Sequence, residues 1–551
     1  RYVQVTGDRS LLLDGGAELL FETARLWVGL GAYIPAQGGA FCLNEVTGPD
    51  EYTALVNNNL YTNLMAREHL RQAIRVADEL ARDEPEAWAR LAGRIGLSLT
   101  EVDGWRQAAD RMRVPRDEAL GIHLQDDAFL DREPWDFAAT PADHYPLLLH
   151  YHPLVIYRHQ VLKQPDVVLA QVLLSHSFTT AEKRRNFAFY DPLTTGDSSL
   201  APCIQSVAAA ELGQAEAARR YFASTARMDL DDVNGNTRDG VHIAAMAGTW
   251  VSVVNGFAGL RDDDGRLSFA PRLPDAWHRL AFRLRVGTSR LRIAITPVEA
   301  TYAVESGPPV ELRHFGEAVT VLPGQPAVFD LRPRLRAVVF DLDGVLTDSA
   351  ELHYQAWARM AAEEGLPFSR ELNEQLKGIG RLESLEIILA AAGRTSLDAA
   401  EKTVLTERKN AYFGELIARI TPADLLPGIA ELLADLRAVG IRIAIASASH
   451  NATELVRRLG IESLVDAKVD PSTIVKGKPD PEIFLAAAEL LGVRPEDCVG
   501  VEDARAGIEA INAAGMVSVG VGPSLTEASW AVDDTRQITR EALAALFHAR
   551  G

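Results

Sequence analysis

Arg336-Ala-Val-Val-Phe340-Asp341-Leu-Asp343-Gly-Val-Leu-Thr347 decides the fold of the C-terminal part of the chain. The apolar run Ala337 to Phe340 is too short for a helix and has the unbroken apolar pattern of a strand buried on both faces. Two aspartates and a glycine follow at once, where such a strand leaves its sheet. Further runs occur at Ile441 to Ala446, Cys498 to Val501 and Val517 to Val521, separated by amphipathic helical stretches. Strands alternating with helices predict right-handed βαβ units and a doubly wound parallel sheet covered on both faces. From Ser349 to about Thr421 only helical pattern is present, which predicts a helical cap over the carboxyl edge of that sheet. Leu331-Arg-Pro-Arg334 reads as a linker because Pro333 interrupts pairing, so this α/β domain is assigned to residues 333–551.

Upstream, residues 263–332 change to a period of two, as in Leu280-Ala-Phe-Arg-Leu-Arg-Val286 and Leu291-Arg-Ile-Ala-Ile-Thr296. Short antiparallel strands in a small sheet or half-sandwich are expected there. Residues 1–262 carry helical periodicity, with long stretches at Asn63 to Arg82 and Ile204 to Thr225, and read as a pure helix array interrupted by Gly and Pro loops. The fold class is therefore multidomain, with an all-α region, a small β-sandwich-like region and a doubly wound α/β core with a helical cap.

The 551 residues carry 56 Lys+Arg against 76 Asp+Glu, a net charge of −20, with 47% hydrophobic and 24% charged residues. These fractions exclude a wholly disordered chain, and the acidity argues against a nucleic-acid partner. There is no apolar run of the roughly 18 residues a membrane span needs, and no secretory pattern at the N-terminus. No membrane partner and a cytoplasmic setting are expected, with Cys42, Cys203 and Cys498 as buried free thiols. A homo-oligomer is left open.

The chemistry of the α/β domain lies in an ordered set of side chains, each after a strand or turn. Asp341 and Asp343 follow the first strand, where two close carboxylates favour a hard cation such as Mg²⁺. Ser447-Ala448-Ser449 follows the second, where a hydroxyl and free backbone N–H groups can cradle a phosphate. Lys478 stands between Gly477 and Pro479, and Glu502-Asp503 closes a third strand.

This order resembles the haloacid dehalogenase superfamily of aspartyl-phosphate enzymes. The resemblance makes Asp341 the nucleophile and Asp343 the general acid/base. It places Ser447 and Lys478 on the transferring phosphoryl group, and Mg²⁺ on Asp341, Glu502, Asp503 and the carbonyl of Asp343. Within the superfamily the sequence is closer to β-phosphoglucomutase, through Asp341 to Ser349, His353, Trp357, Leu376-Lys-Gly-Ile-Gly-Arg381, Arg408-Lys-Asn410, Ser447 to Ser449 and Gly500 to Gly507. That similarity implies Arg381, Ser449 and Asn451 as contacts to a second phosphate, with Gly378 and Ala448 beside them. It puts Ser349 and His353 at the hinge, coupling cap closure to the protonation of Asp343. It further implies β-glucose 1,6-bisphosphate as primer and interconversion of β-glucose 1-phosphate with glucose 6-phosphate. His450, Gly477 and Arg505 depart from the pattern and are read as tuning.

In the helical region, Asn44-Glu-Val-Thr-Gly-Pro-Asp-Glu51-Tyr52 puts a carboxylic acid in a Gly-Pro loop beside amides and an aromatic, a setting suited to protonating a glycosidic oxygen. With Lys163-Gln164, Thr194-Thr-Gly-Asp-Ser198-Ser199-Leu200 and the stretch Ala226 to His242, it resembles glycoside hydrolase family 65, the family of maltose, trehalose and kojibiose phosphorylases. The resemblance implies part of an (α/α)₆ barrel, Glu51 as general acid, Lys163 and Gln164 on the glucose unit, and Ser198, Ser199 and His242 on inorganic phosphate. An inverting phosphorylase needs one catalytic carboxylic acid, since phosphate is the nucleophile; Asp197 keeps a hydrolase open. Only 50 residues precede Glu51 and the chain begins at Arg1, so it is read as a piece of a longer fusion, or its helical part as a remnant that needs a partner, with residual phosphorylase or hydrolase activity at most. Two other readings stand beside the fused mutase: a sugar-phosphate phosphatase, and a helical region that binds α-linked glucose disaccharides without turning them over. Which disaccharide is meant is not fixed by the sequence.

Overall fold

The computed structural model describes residues 2–549 apart from 377, 378, 395 and 396. The chain divides into two compact units, Arg1–Arg332 and Pro333–Gly551. No helix among the described residues is long and apolar enough to cross a membrane, and the three cysteines are buried free thiols.

The first unit begins as packed helices. Leu60–Asp83 is the longest, capped by the Asn59 side chain on the Thr62 N–H. Its face of Leu64, Ala66, Leu70, Ala73, Ala77 and Leu80 is buried against neighbouring helices and loops. The structure corrects two expectations here. Ile204 to Thr225 is not continuous, because the chain breaks at Gly213, at φ 76°, between the helices Ala201–Glu211 and Ala215–Ala226. The region is also not purely helical: Ala32–Ile34 pairs with Ala40–Cys42, Arg116–Asp117 with Ile122–His123, and Glu133–Pro134 with His159–Gln160. Strands of two or three residues are too short to show a period, which is why the sequence hid them.

A β-sandwich completes this unit. Leu280–Val286, Ser289–Ile295, Glu299–Ser306 and Ala327–Asp330 form a four-stranded antiparallel sheet. Glu317–Val321, Val310–His314 and Leu267–Phe269 form the second sheet, in which the last pair is parallel rather than antiparallel as expected. Alternate residues Leu291, Ile293, Ile295, Tyr302, Leu312 and Val321 fill the space between the sheets.

The second unit is a six-stranded parallel sheet of β1 (Ala337–Phe340), β2 (Arg442–Ile445), β3 (Ala467–Lys468), β4 (Cys498–Glu502), β5 (Val517–Val521) and β6 (Trp530–Val532). Their order is β3-β2-β1-β4-β5-β6 and every pair is parallel. The sequence missed β3 and β6, which are short edge strands. Val338, Phe340, Ile443, Ile445, Val499 and Val501 face one helical layer, and Ala337, Val339, Ala444 and Cys498 face the other. Both faces are covered, so the strands read as unbroken apolar runs. Between β1 and β2 come the helices α1 (Ala350–Glu363), Arg370–Glu374, α2 (Arg381–Ala391) and α3 (Ala399–Ile417), with a small core around Trp357, Met360, Leu385, Ile388 and Leu405. This cap joins the sheet through two adjacent segments, where Leu426 N–H donates to Leu346 O and the Thr347 hydroxyl to Asp424 O. The strand order reverses between β1 and β4, where open α/β sheets bind their ligands.

One ionic cluster ties helices to sandwich within the first unit. Glu211 accepts from Lys183 Nζ at 2.6 Å and from Arg261 at 2.8 Å. Despite burial, these two cations hold its carboxyl down at about 2. Such a carboxylate contributes stability above its unfolded pKa and loses it as pH falls through the folded value. Replacing Glu211 by Gln strands two cations and is expected to cost about 3 kcal/mol. In thermal melts of this unit, the gap between wild type and variant should be widest above about pH 5 and shrink as the pH is lowered toward 3.

Candidate functional site

In-register pairing builds the site of the second unit. Phe340 lies level with Ile445 on one side and Val501 on the other. The residues that follow, Asp341, Ser447, Glu502 and Asp503, therefore emerge together at the carboxyl ends of β1, β2 and β4. The N–H of Asp341 still donates to Val501 O, at 2.9 Å, so the nucleophile candidate is held by the last rung of the ladder. Gly344 turns the chain at φ 82°, and a Cβ there would stand 2.1 Å from Asp503 Oδ2. Only glycine leaves room for that carboxylate.

Asp341, Glu502 and Asp503 present oxygens within 4.8 Å of one another. Lys478 Nζ donates to Asp341 Oδ1 at 2.5 Å and to Glu502 Oε2 at 2.6 Å, with its side chain almost fully buried. Burial opposes its charge, but the two carboxylates outweigh that and push its pKa up. Glu502 is raised to about 8, by burial first and then by the charge of Asp341. Three oxygen donors in a crowded acidic pocket fit a hard divalent cation.

Asp343 is raised to about 6, first by desolvation and then by Asp341, against a hydrogen bond from the Ser349 hydroxyl. His353 Nε2 stands 3.8 Å from Asp343 Oδ1, and its Nδ1 accepts from Lys409 Nζ at 2.8 Å. Burial first, and then the charge of Lys409, hold His353 well below its ordinary value. Lys409 is itself lowered to about 7, mainly by burial, and lies over the rings of Trp357 and Phe413.

One cavity is lined by Asp341, Asp343, His353, Arg381, Ser447, Ala448, Ser449, Asn451, Lys478 and Asp503. The structure thus brings together the side chains singled out from sequence in this unit, with Ser349 and Glu502 joined to them by hydrogen bonds. Gly378 lies outside the described residues. Arg381, half-buried at the start of α2, has no hydrogen-bond or ion-pair partner among the described residues. Asn451 donates to Asn410 Oδ1 of the cap at 2.7 Å. Sequence reasoning gave no role to Lys409, Asn373 and Ser384, which also line the cavity. For Lys409 a signal existed: it shares the inward register Leu405, Lys409, Phe413 of α3, where a buried lysine calls for a reason. Of the three departures, His450 is exposed, Gly477 lies where a Cβ would stand 3.7 Å from Glu383 Oε2, and Arg505 forms surface pairs with Glu509 and Glu527.

In the first unit, Lys163 Nζ donates to Glu51 Oε2 at 2.7 Å and Gln164 Nε2 to Oε1 at 3.0 Å, while the Glu51 N–H donates to Gln164 Oε1. Lys163 holds the Glu51 carboxyl below its ordinary value. Buried Asp50 locks the two segments together by accepting the N–H groups of Tyr52, Lys163 and Gln164. Gln164 reaches Ser198 Oγ at 3.3 Å, so Glu51, Lys163, Gln164 and Ser198 are contiguous. Ser199 follows in the same loop, and His242 stands on another, with its Nδ1 paired to Asp229 at 2.6 Å. Asp197 is engaged by the hydroxyls of Tyr52 and Thr195.

Comparison with known proteins follows this division. Residues 1–251 match the glycosyl hydrolase family 65 central catalytic domain, 260–321 the family 65 C-terminal domain, and 335–515 haloacid dehalogenase-like hydrolase. α,α-Trehalose phosphorylase of Thermoanaerobacter brockii is 46% identical over 325 residues, 59% of this chain and 42% of that protein. A solved structure of a kojibiose phosphorylase-like protein from the human microbiome superposes with a TM-score of 0.54 at 25% identity, over 60% of this chain and 45% of that one. The chain thus spans less than half the length of these phosphorylase relatives. β-Phosphoglucomutase of Bacillus subtilis is 50% identical over 212 residues, 38% of this chain and 94% of that protein. Through its second unit the chain belongs to the β-phosphoglucomutase family of the haloacid dehalogenase-like hydrolases, fused to a glycosyl hydrolase family 65 segment.

Proposed function

We propose that the second unit is a β-phosphoglucomutase, interconverting β-glucose 1-phosphate and glucose 6-phosphate through an aspartyl-phosphate on Asp341, with β-glucose 1,6-bisphosphate as primer. The observation that carries this is Arg381, half-buried in the same cavity as Asp341 and Lys478 and without a hydrogen-bond or ion-pair partner among the described residues. A phosphatase needs to grip one phosphate, whereas a mutase must hold a second while the first is transferred.

In this reading a carboxylate oxygen of Asp341 attacks phosphorus, and Lys478 and Ser447 hold the transferring oxygens. Asp343, near 6, gives up and takes back a proton within the physiological range: it receives the sugar hydroxyl's proton as that hydroxyl attacks, and returns one to the leaving oxygen. Ser349 favours its ionised form, and the His353 ring stands beside it, Nε2 3.8 Å from Oδ1. Arg381, Ser449 and Asn451 hold the other phosphate. Mg²⁺ would be held by Asp341, Glu502, Asp503 and the carbonyl of Asp343, and when bound it neutralises charge on the transferring group. The cap excludes water, so the phosphoryl group returns to sugar.

For the first unit we infer the site of an inverting α-glucoside phosphorylase, with Glu51 as acid, Lys163 and Gln164 on glucose, and Ser198, Ser199 and His242 on phosphate. Asp197 already accepts hydrogen bonds from Tyr52 and Thr195, which favours phosphorolysis over hydrolysis. Such a reaction releases β-glucose 1-phosphate, the mutase substrate.

Asp341→Asn should abolish both acyl-phosphate trapping from labelled bisphosphate and glucose 6-phosphate formation, by at least about 10³-fold; an unimpaired variant refutes the mechanism. Arg381→Ala should raise the Michaelis constant for β-glucose 1-phosphate about tenfold and shift product from glucose 6-phosphate toward free phosphate, read from both in one assay. Glu51→Gln should eliminate any β-glucose 1-phosphate formed from trehalose, maltose or kojibiose with phosphate, while leaving mutase turnover unchanged.

A further inference from the structure

Lys478 is the sole buried residue in the stretch Val475 to Asp480, whose other members are exposed or half-exposed. The segment is neither helix nor strand. A lysine has four rotatable side-chain bonds, so an ammonium set between two carboxylates at 2.5 and 2.6 Å needs a backbone that does not wander. No apolar packing of the loop itself supplies that.

What holds the loop is a carboxylate with no part in the chemistry above. Glu482 opens the helix Glu482–Leu491 and is almost fully buried, 4% exposed. An acid in a first helical turn ordinarily faces the free N–H groups of its own helix. Glu482 instead turns back: Oε1 accepts the N–H of Val475 at 3.2 Å and Oε2 that of Lys476 at 3.1 Å. The two bonds span seven and six residues and close the loop around Lys478. Asp480 reinforces it, capping the Glu482 N–H through Oδ1 and donating its own N–H to Gly477 O. The same helix places the buried ring of Phe484 under the ammonium, 5.1 Å away.

We propose that Glu482 is the positioning residue of phosphoryl transfer, a two-pronged clasp that sets where Lys478 Nζ meets the phosphoryl group on Asp341. The proposal rests on the phosphotransfer reading of the site, but not on whether the acceptor is sugar or water. Glu482→Gln keeps size and one acceptor oxygen and turns the other toward an N–H with an NH₂, so one prong opens. A misplacement of the order of 1 Å in a group of this kind costs about 10- to 100-fold in rate.

The test is a double-mutant cycle on the full chain with Mg²⁺, β-glucose 1-phosphate and β-glucose 1,6-bisphosphate, following glucose 6-phosphate and free phosphate together. Glu482→Gln should lower turnover about tenfold, change the Michaelis constant less than about twofold and leave the melting temperature of this unit nearly unchanged; Glu482→Asp should lie between it and wild type. In a Lys478→Ala background the same substitution should cost nothing further, because it acts through Lys478. Should the doubly substituted protein be too slow for steady state, a crystal structure of Glu482→Gln decides: Lys478 Nζ displaced from Asp341 supports the clasp. Full activity of Glu482→Gln, an unmoved Lys478, or an equal loss with and without Lys478 overturns it. Phosphate release without glucose 6-phosphate from the unsubstituted chain would refute the mutase reading, and the cycle would then be scored on phosphate.

Discussion

Four carboxylates crowd into one crevice where β1 and β4 diverge, and much of the second unit is arranged around the cost of putting them there. Asp341 and Glu502 are buried, and Asp343 and Asp503 stand beside them. Burial first, and then the neighbouring charge of Asp341, raise Glu502 to about 8 and Asp343 to about 6. Lys478 offsets part of this from within the protein, and on the proposed reading a divalent cation at Asp341, Glu502 and Asp503 would offset the rest. Glycine is required twice at the margin of the cluster, at Gly344 beside Asp503 and at Gly507, where a Cβ would lie 2.1 Å from Glu502 Cδ. The parallel register of β1 and β4 allows the convergence, and the loop that delivers Lys478 must be fixed as firmly as the strands.

The two candidate acids of the chain are set in opposite ways. Asp343 is lifted toward neutrality by burial and a like charge, in a pocket where Ser349, His353 and Lys409 surround it. Glu51 is half-exposed and held down by Lys163. A general acid must carry a proton when it acts. On the proposed reading, Glu51 acquires one only when a glucosyl unit draws Lys163 and Gln164 onto its hydroxyls and shuts out water. The ionised state is then the resting state, and sugar binding is part of the acid's activation.

Much of the α/β unit was legible because its signals are local. Buried parallel strands read as apolar runs, and Asp341, Ser447 and the Glu502-Asp503 pair each follow one of them within a few residues. Short edge strands such as Ala467–Lys468 were not legible, since two residues carry no period. Lys409 was passed over because its meaning depends on α3 packing against α1, which puts its ammonium beside His353; spacing along one helix does not reveal that. The break at Gly213 was hidden because apolar periodicity resumes in phase beyond it. Asp50 was read only as part of a turn, yet it joins the Glu51 loop to Lys163 and Gln164 more than 100 residues away. Sequence order supplied candidates for each site, and tertiary hydrogen bonds supplied their partners.

The fusion has a stereochemical logic on the proposed functions. Phosphorolysis with inversion turns an α-glucoside into the β-anomer of glucose 1-phosphate, because phosphate enters opposite the departing oxygen. Once the anomeric oxygen is esterified the ring cannot open, so this anomer does not equilibrate with its α-partner. The β-configuration made at one site is therefore the configuration presented to the next, and a mutase selective for the α-anomer would leave the product stranded. Matching of anomers is what makes these two proposed activities a pair. Joining them in one chain fixes their ratio at one to one, which keeps the phosphate ester drawn onward while phosphorolysis runs in its readily reversible direction.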